Sequence, residues 1–265
     1  MVINLDYLHV NKVYGSYPDF STEPLDALLN TGNRVYVKTY NNIQGNRVLV
    51  NEYICYRLSK ILDLPIPEAG IAIIDRDTEH LCDEDVFSPE NYGHCFFSTR
   101  INKATVINSA IIPQISNKED FYKIILFDHL IYNKDRNKGN LLVTSDSTVR
   151  LYIIDHTHVF KNACIWDKIC FQQGMSVDDY LDRQIIEYNS LIYGYFWEHL
   201  PKNLDILLSH STDFKNRLNL SVLEDVIKDL PDSWDVSCED ITSLLEYLSY
   251  RLEKLDHICN IIVGR

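Results

Sequence analysis

The sequence has no apolar run approaching the roughly 20 residues needed to cross a bilayer. Its start, MVINLDYLHV, has neither the charged nor the apolar region of a signal peptide. These two absences predict a soluble, cytoplasmic protein with no membrane partner. Positive charge is also scarce: 25 Lys and Arg stand against 38 Asp and Glu, giving a formal net charge of −13. That balance argues against a direct nucleic-acid partner, because phosphate contacts need a broad basic footprint. Low-complexity tracts and repeats are missing, and a hydrophobic content of 46% excludes wholesale disorder. The seven cysteines (55, 82, 95, 164, 170, 238 and 259) are odd in number and form no C-x-x-C pair, so free buried thiols are expected. His156 and His158 lack the Cys pair or H-E-x-x-H that would complete a zinc site. Neither the G-x-G-x-x-G of a kinase glycine loop nor the G-x-x-x-x-G-K-[ST] of a P-loop is present.

What is present centres on Leu130 to His156, LIYNKDRNKGNLLVTSDSTVRLYIIDH. Asp135, Asn140 five residues later, and Asp155 fifteen beyond that form an ordered set. Phosphoryl transfer needs one carboxylate to orient the attacking hydroxyl, and an amide with a second carboxylate to hold magnesium on the phosphates. The Asp-x-x-x-x-Asn spacing matches the catalytic loop of protein kinases. Leu141 to Val143 and Val149 to Ile154 read as a β-hairpin that brings Asp155 back towards Asn140.

At 265 residues the chain is long enough for one large domain or two lobes sharing a cleft. Gly15 to Ser21 reads either as a flap over phosphates, through backbone N–H groups at Gly15 and Ser16, or as an ordinary surface turn. Val35 to Tyr40 alternates as a strand and places Lys38 as a candidate phosphate lysine. The helical pattern from about Arg47 to Leu62 has an apolar stripe of Ile54, Leu58, Ile61 and Leu62. Glu52 either pairs with Lys38 or favours the positive end of its helix. Asp75 to Tyr92 reads as an acidic solvated loop that includes Asp85. HCFFSTRI, from His94 to Ile101, is a strand, and the segment from Ser98 through Arg100 to about Ala104 is a candidate link offering backbone groups to an adenine edge.

Ser116 and Glu119 predict a capping box opening a helix to about Tyr132, with Asp128 either tying down the catalytic loop or lying on the helix surface. Helices are expected over Val177 to Leu200, from a second capping box at Ser221 and Glu224, and from Ser237 or Cys238 to about Val263. Trp197 and Trp234 read as core anchors, and the tyrosines near Tyr193 as packing.

The chain resembles the HipA-like protein kinase family, in its compact form lacking an extra N-terminal subdomain. The resemblance rests on YVKTY around Lys38, VNEYICYRLSKILDLPIPE, CFFSTR, NKDRNKGNLLV with IIDH, LPDSWD and LLEYLSYRLEKL. It implies an α+β, bilobal protein-kinase-like fold. Residues 1–100 would form a small β-rich N-lobe with one helix, and residues 101–265 a larger, mainly helical C-lobe. It also implies that Asp135 is the catalytic carboxylate, that Asn140 and Asp155 hold Mg2+, and that Lys38 contacts ATP. The implied activity is transfer of the ATP γ-phosphate to a serine or threonine of a protein substrate, in some relatives a translation component, with autophosphorylation near Ser16 or Ser21. An antitoxin is the implied partner, although the early start of the ATP lobe argues against a DNA-bound complex. Asn137 stands where many relatives have His.

Overall fold

The computed structural model describes residues 8–84 and 86–265. The opening stretch 1–7 and Asp85 of the acidic run lie outside them. The N-terminal region is built from β1 (Leu8–Ser16), β2 (Leu25–Leu29), β3 (Arg34–Lys38), α1 (Arg47–Ile61), β4 (Ala69–Ile74), β5 (Glu79–His80) and β6 (Gly93–Thr99). The strand order is β2-β3-β6-β4-β1-β5, and β1 also pairs with β2. Five of the strands therefore return on themselves as a ring. Period-two alternation sends Val35 and Val37 of β3 inside, beside Val10, Ala27, Ala72 and Phe97, and leaves Lys38 on the other face.

Outside that ring lies α1, where Val48 through Cys55 are all buried. The expected stripe is too narrow because both flanks of the helix are covered. One side packs on β4 and β6, the other meets the helical C-terminal region. Arg47 bonds Asp240 at 2.8 Å, Arg57 bonds Asp229 at 2.9 Å, and the Trp234 indole donates to the His94 carbonyl at 3.1 Å. The two arginine contacts fix α1, and so Glu52, relative to the C-terminal helices.

The C-terminal region begins with β7 (Ala104–Val106), which joins β8 (Leu141–Thr144) and β9 (Leu151–Ile153) in a second sheet, with α2 (Phe121–Leu130) between β7 and β8. The 141–154 hairpin is thus present, with Leu141 paired to Ile153. It is followed by α3 (Lys168–Ser176), α4 (Gln184–Tyr188), α5 (Ser190–Trp197), α6 (Leu204–Arg217), α7 (Leu220–Ile227), α8 (Cys238–Glu253) and α9 (Leu255–Val263).

Several expected helix boundaries shift for identifiable reasons. The Ser116 hydroxyl donates to the Val149 carbonyl instead of capping α2. Asn117 holds that corner instead, taking a bond from Leu151 N and donating to Leu151 O. The 177–200 stretch is broken because Asp178, at φ 51°, leaves the right-handed region and Asp182, at ψ 126°, is extended. Asn219, rather than Ser221, caps α7 by accepting from Val222 N. Ser237 does cap α8, and Gly264, at φ 85°, ends α9 in the left-handed conformation that glycine favours. Trp234 is buried, while Trp197 is only partly so. All seven thiols are free, but only Cys55, Cys95, Cys164 and Cys259 are buried. Among the described residues no helix is long and apolar enough to cross a membrane.

Candidate active site

Lys38 ends β3 and extends towards the second turn of α1. Its ammonium bonds Glu52, Asp155 Oδ1 at 2.9 Å and the Thr157 hydroxyl at 2.7 Å. Thr157 in turn donates to Glu52 Oε1 at 3.0 Å, and the other Glu52 oxygen accepts from His156 N at 3.2 Å. One ammonium therefore serves two carboxylates. Burial disfavours charge on Lys38, yet Asp155 and Glu52 outweigh it and raise its pKa. Burial also opposes ionisation of Asp155, but Lys38 and the Thr157 bond hold that carboxyl well below the usual range. At Glu52 the burial effect prevails and the pKa rises, with Lys38 opposing.

Asp155 itself sits at φ 57°, a left-handed conformation unusual for a non-glycine residue. Roughly 1–3 kcal/mol is stored in such a residue. The surrounding bonds from Lys38 and from Thr157 N, at 3.4 Å, hold it there.

The loop from α2 to β8 presents Asp135 and Asn140. Asp135 N donates to Asn133 Oδ1 at 2.9 Å, while Asn137 Nδ2 donates to Asp135 Oδ1 at 2.9 Å. Asn140 Nδ2 donates to the Asp135 carbonyl at 2.6 Å, so the amide oxygen is the Asn140 atom left for a cation. Among the described residues nothing donates to that oxygen or to Asp155 Oδ2. A carboxylate oxygen and an amide oxygen are hard donors of the kind Mg2+ takes, so this pair fits the ion. The two are locked together, because Ile154 N bonds the Asn140 carbonyl at 3.1 Å.

Beneath the loop is a buried hub. Asp128 of α2 accepts from Arg136 Nη2 at 2.7 Å, Asn133 at 2.9 Å and Tyr193 at 3.1 Å. Arg136 Nη1 reaches the carbonyls of Asn140 and Ile154 at 3.2 and 3.4 Å. The same arginine thus supports both candidate metal ligands. Of the two readings of Asp128, the structure favours the loop tie.

The remaining expected residues are placed differently. Gly15 and Ser16 close β1, opposite Asp26 and Leu25, and lie in the hairpin stem instead of at its tip. Gly15 has no need of glycine: its φ is ordinary and a Cβ would meet nothing within 4 Å. Ser98 is inside β6, paired with Tyr36 and Ala69, and Arg100 N donates to the Arg34 carbonyl. Their backbone groups are therefore committed to the sheet, leaving 101–103 between it and β7. His156 and His158 diverge: the first faces Arg136 at 3.3 Å, the second faces Asp135 at 3.3 Å.

Sequence reasoning passed over Thr157, Gln44, Asn51 and Asn189. Asn51 Nδ2 donates to the Thr157 carbonyl at 2.7 Å and its oxygen accepts from Trp166 at 2.8 Å. Asn189 accepts from Arg136 N at 2.8 Å and donates to the Asn133 carbonyl at 2.8 Å. Only Thr157 had a signal, its position two residues after Asp155.

A family model described as HipA-like kinase matches residues 10–259. Among solved structures, the Helicobacter pylori proinflammatory kinase CtkA is similar at 13% identity and a TM-score of 0.58, covering 94% of this chain and 95% of that one. The Golgi casein kinase with Mn/ADP bound is similar at 10% identity and a TM-score of 0.53, covering 97% of this chain and 73% of that one. At these identities the likenesses establish the fold: kinase-like, β-rich towards the N-terminus and helical towards the C-terminus. No curated protein matches the sequence significantly.

Proposed function

Because the chain belongs to the HipA-like kinase family, we propose that this phosphotransferase is an ATP- and magnesium-dependent serine/threonine protein kinase. The observation that supports it most is the simultaneous bonding of Lys38 to Glu52 and Asp155, which sets a phosphate-binding cation beside a metal-binding carboxylate. In this reading residues 1–100 and 101–265 are two lobes, and ATP lies between them with its base near the 101–103 link. Glu52 holds the Lys38 ammonium on the phosphates. Asn140 and Asp155 would hold Mg2+, which when bound would supply neutralisation of charge on the transferred group. Asp135, kept ionised, accepts the hydrogen bond of the acceptor hydroxyl and orients it. An antitoxin partner and an acceptor within the translation machinery belong to the same reading.

The test is magnesium-dependent transfer from γ-labelled ATP, with and without cell lysate. Label on a polypeptide is expected, reduced by at least about 100-fold in Asp135→Asn. Asp155→Asn is expected to abolish it as well. ATP binding with no labelled protein would overturn the protein-kinase reading and leave a small-molecule acceptor or a nucleotide-dependent scaffold.

A further inference from the structure

Both ring nitrogens of His158 face hydrogen-bond acceptors. Nδ1 lies 3.3 Å from Asp135 Oδ2, and Nε2 lies 2.7 Å from Gln44 Oε1. A neutral imidazole has a single N–H and can donate to only one of them; donating to both takes the imidazolium. The orientation of the Gln44 amide is fixed by other contacts. Gln44 Nε2 donates to the Ser21 carbonyl at 3.4 Å, and the single Cys164 S–H has two acceptors in reach, the same Oε1 at 3.3 Å and the Thr157 carbonyl at 3.4 Å. Gln44 lies in the turn between β3 and α1, and Ser21 in the tip between β1 and β2. A continuous bridge therefore runs from the catalytic loop, through His158, to the edge of the N-terminal sheet.

We propose that His158, held as an imidazolium by Gln44, is a positioning residue that aims the Asp135 carboxylate at the acceptor hydroxyl and couples its placement to the β1–β2 tip. The inference rests on the kinase reading above and extends it to a residue outside the metal and phosphate set. Asp135 Oδ1 is fixed by Asn137 at 2.9 Å, while Oδ2 takes a long contact from Asn140 Nδ2 at 3.5 Å and the nearer one from His158 at 3.3 Å, so Asn137 and His158 together set the plane of the group. Unoccupied lone pairs remain for the hydroxyl. The groups facing His158 are Asp135 from the catalytic loop, Gln44 from the β3–α1 turn and Cys164 from the segment before α3. The bond to Asp135 and the neighbouring Cys164, against burial, raise the His158 pKa to about 10, in keeping with the bonding pattern.

The test uses the full chain with ATP, Mg2+ and the polypeptide acceptor found by labelling. In His158→Ala, kcat should fall about tenfold to a hundredfold, the scale of a misplaced reacting group, while KM for ATP stays close to wild type. Imidazole added to the buffer should restore part of that rate to His158→Ala and none to Asp135→Asn. Gln44→Leu should lower kcat in the same sense, and the double variant should be no slower than His158→Ala alone. If His158→Ala does not fold, His158→Gln, which keeps one donor, takes its place in the same comparison. Full kcat in the His158 variant beside an inactive Asp135→Asn overturns this inference and leaves the kinase reading intact. A wild-type protein that binds nucleotide but is no more active than Asp135→Asn overturns both.

Discussion

Asp128 is fully buried in α2, and Arg136, eight residues on, is buried with it. Removing one partner of such a pair leaves an uncompensated charge away from water, at a cost of about 3–5 kcal/mol. Asp128→Ala should therefore lower the unfolding free energy measured in urea by that amount, whereas Asp128→Asn, which can still accept from Arg136, should lose less. A shift under about 1 kcal/mol in Asp128→Ala would mean that water reaches the guanidinium. Because Arg136 also holds the Asn140 and Ile154 carbonyls, Asp128→Asn should reduce phosphate transfer more than stability. The sequence exposed this residue as a candidate but could not choose between a loop tie and a surface acid. The decision lies in Tyr193 and Asn189, more than fifty residues later, which no local pattern connects to it.

At the level of elements, the strands around Lys38, the helix bearing Glu52 and the hairpin between Asn140 and Asp155 were legible, since each combines a short-range period with turn residues at its ends. The capping boxes misled for separate reasons: the Ser116 hydroxyl donates to the Val149 carbonyl just before β9, and Asn219, two residues before Ser221, takes the cap of α7. Packing between helices was not legible at all, and α3 against α8 shows why. Gly174 of α3 lies where an added Cβ would come within 2.6 Å of Asp179 Oδ2 and 3.1 Å of the Tyr247 ring. Asp179 cannot yield, since Arg251 and Tyr247 each hold it at 2.6 Å. Two effects compete in Gly174→Ala: alanine gains about 1 kcal/mol of helix propensity, but overpacking costs about 1–3 kcal/mol. With a rigid buried partner the cost should prevail, so the variant should melt at a lower temperature than wild type. Equal or higher Tm would show that the Asp179 network can move.

Across the whole molecule, buried and bridged histidines should set the pH of greatest stability. His129 is fully buried and neither ring nitrogen finds a partner among the described residues. Burial, then the nearby Arg251, lower its pKa to about 3, and burial with Arg136 pushes His156 down as well. Below the ordinary histidine pKa, about 6.5, the unfolded chain binds protons that the folded chain refuses, so folding weakens as pH falls. From His129 alone the slope approaches about 1.4 kcal/mol per pH unit between about 6 and 3. The depressed carboxylates Asp26 and Asp155 add to the loss only nearer pH 4 and below, because they too are stabilising above their unfolded pKa. His158 acts in the opposite sense: its raised pKa contributes stability that is complete below about 6.5 and is lost as pH climbs towards about 10. Tm measured across pH should therefore peak near neutrality, with an acid limb that begins well above the carboxylate range. His129→Leu, which removes the linked proton without adding a polar group, should flatten that limb between pH 6 and 4.5. His158→Gln should flatten only the alkaline side. An acid limb unchanged in His129→Leu would mean that His129 takes up its proton in the folded chain, and the packing around α2 and α8 would have to open to admit it.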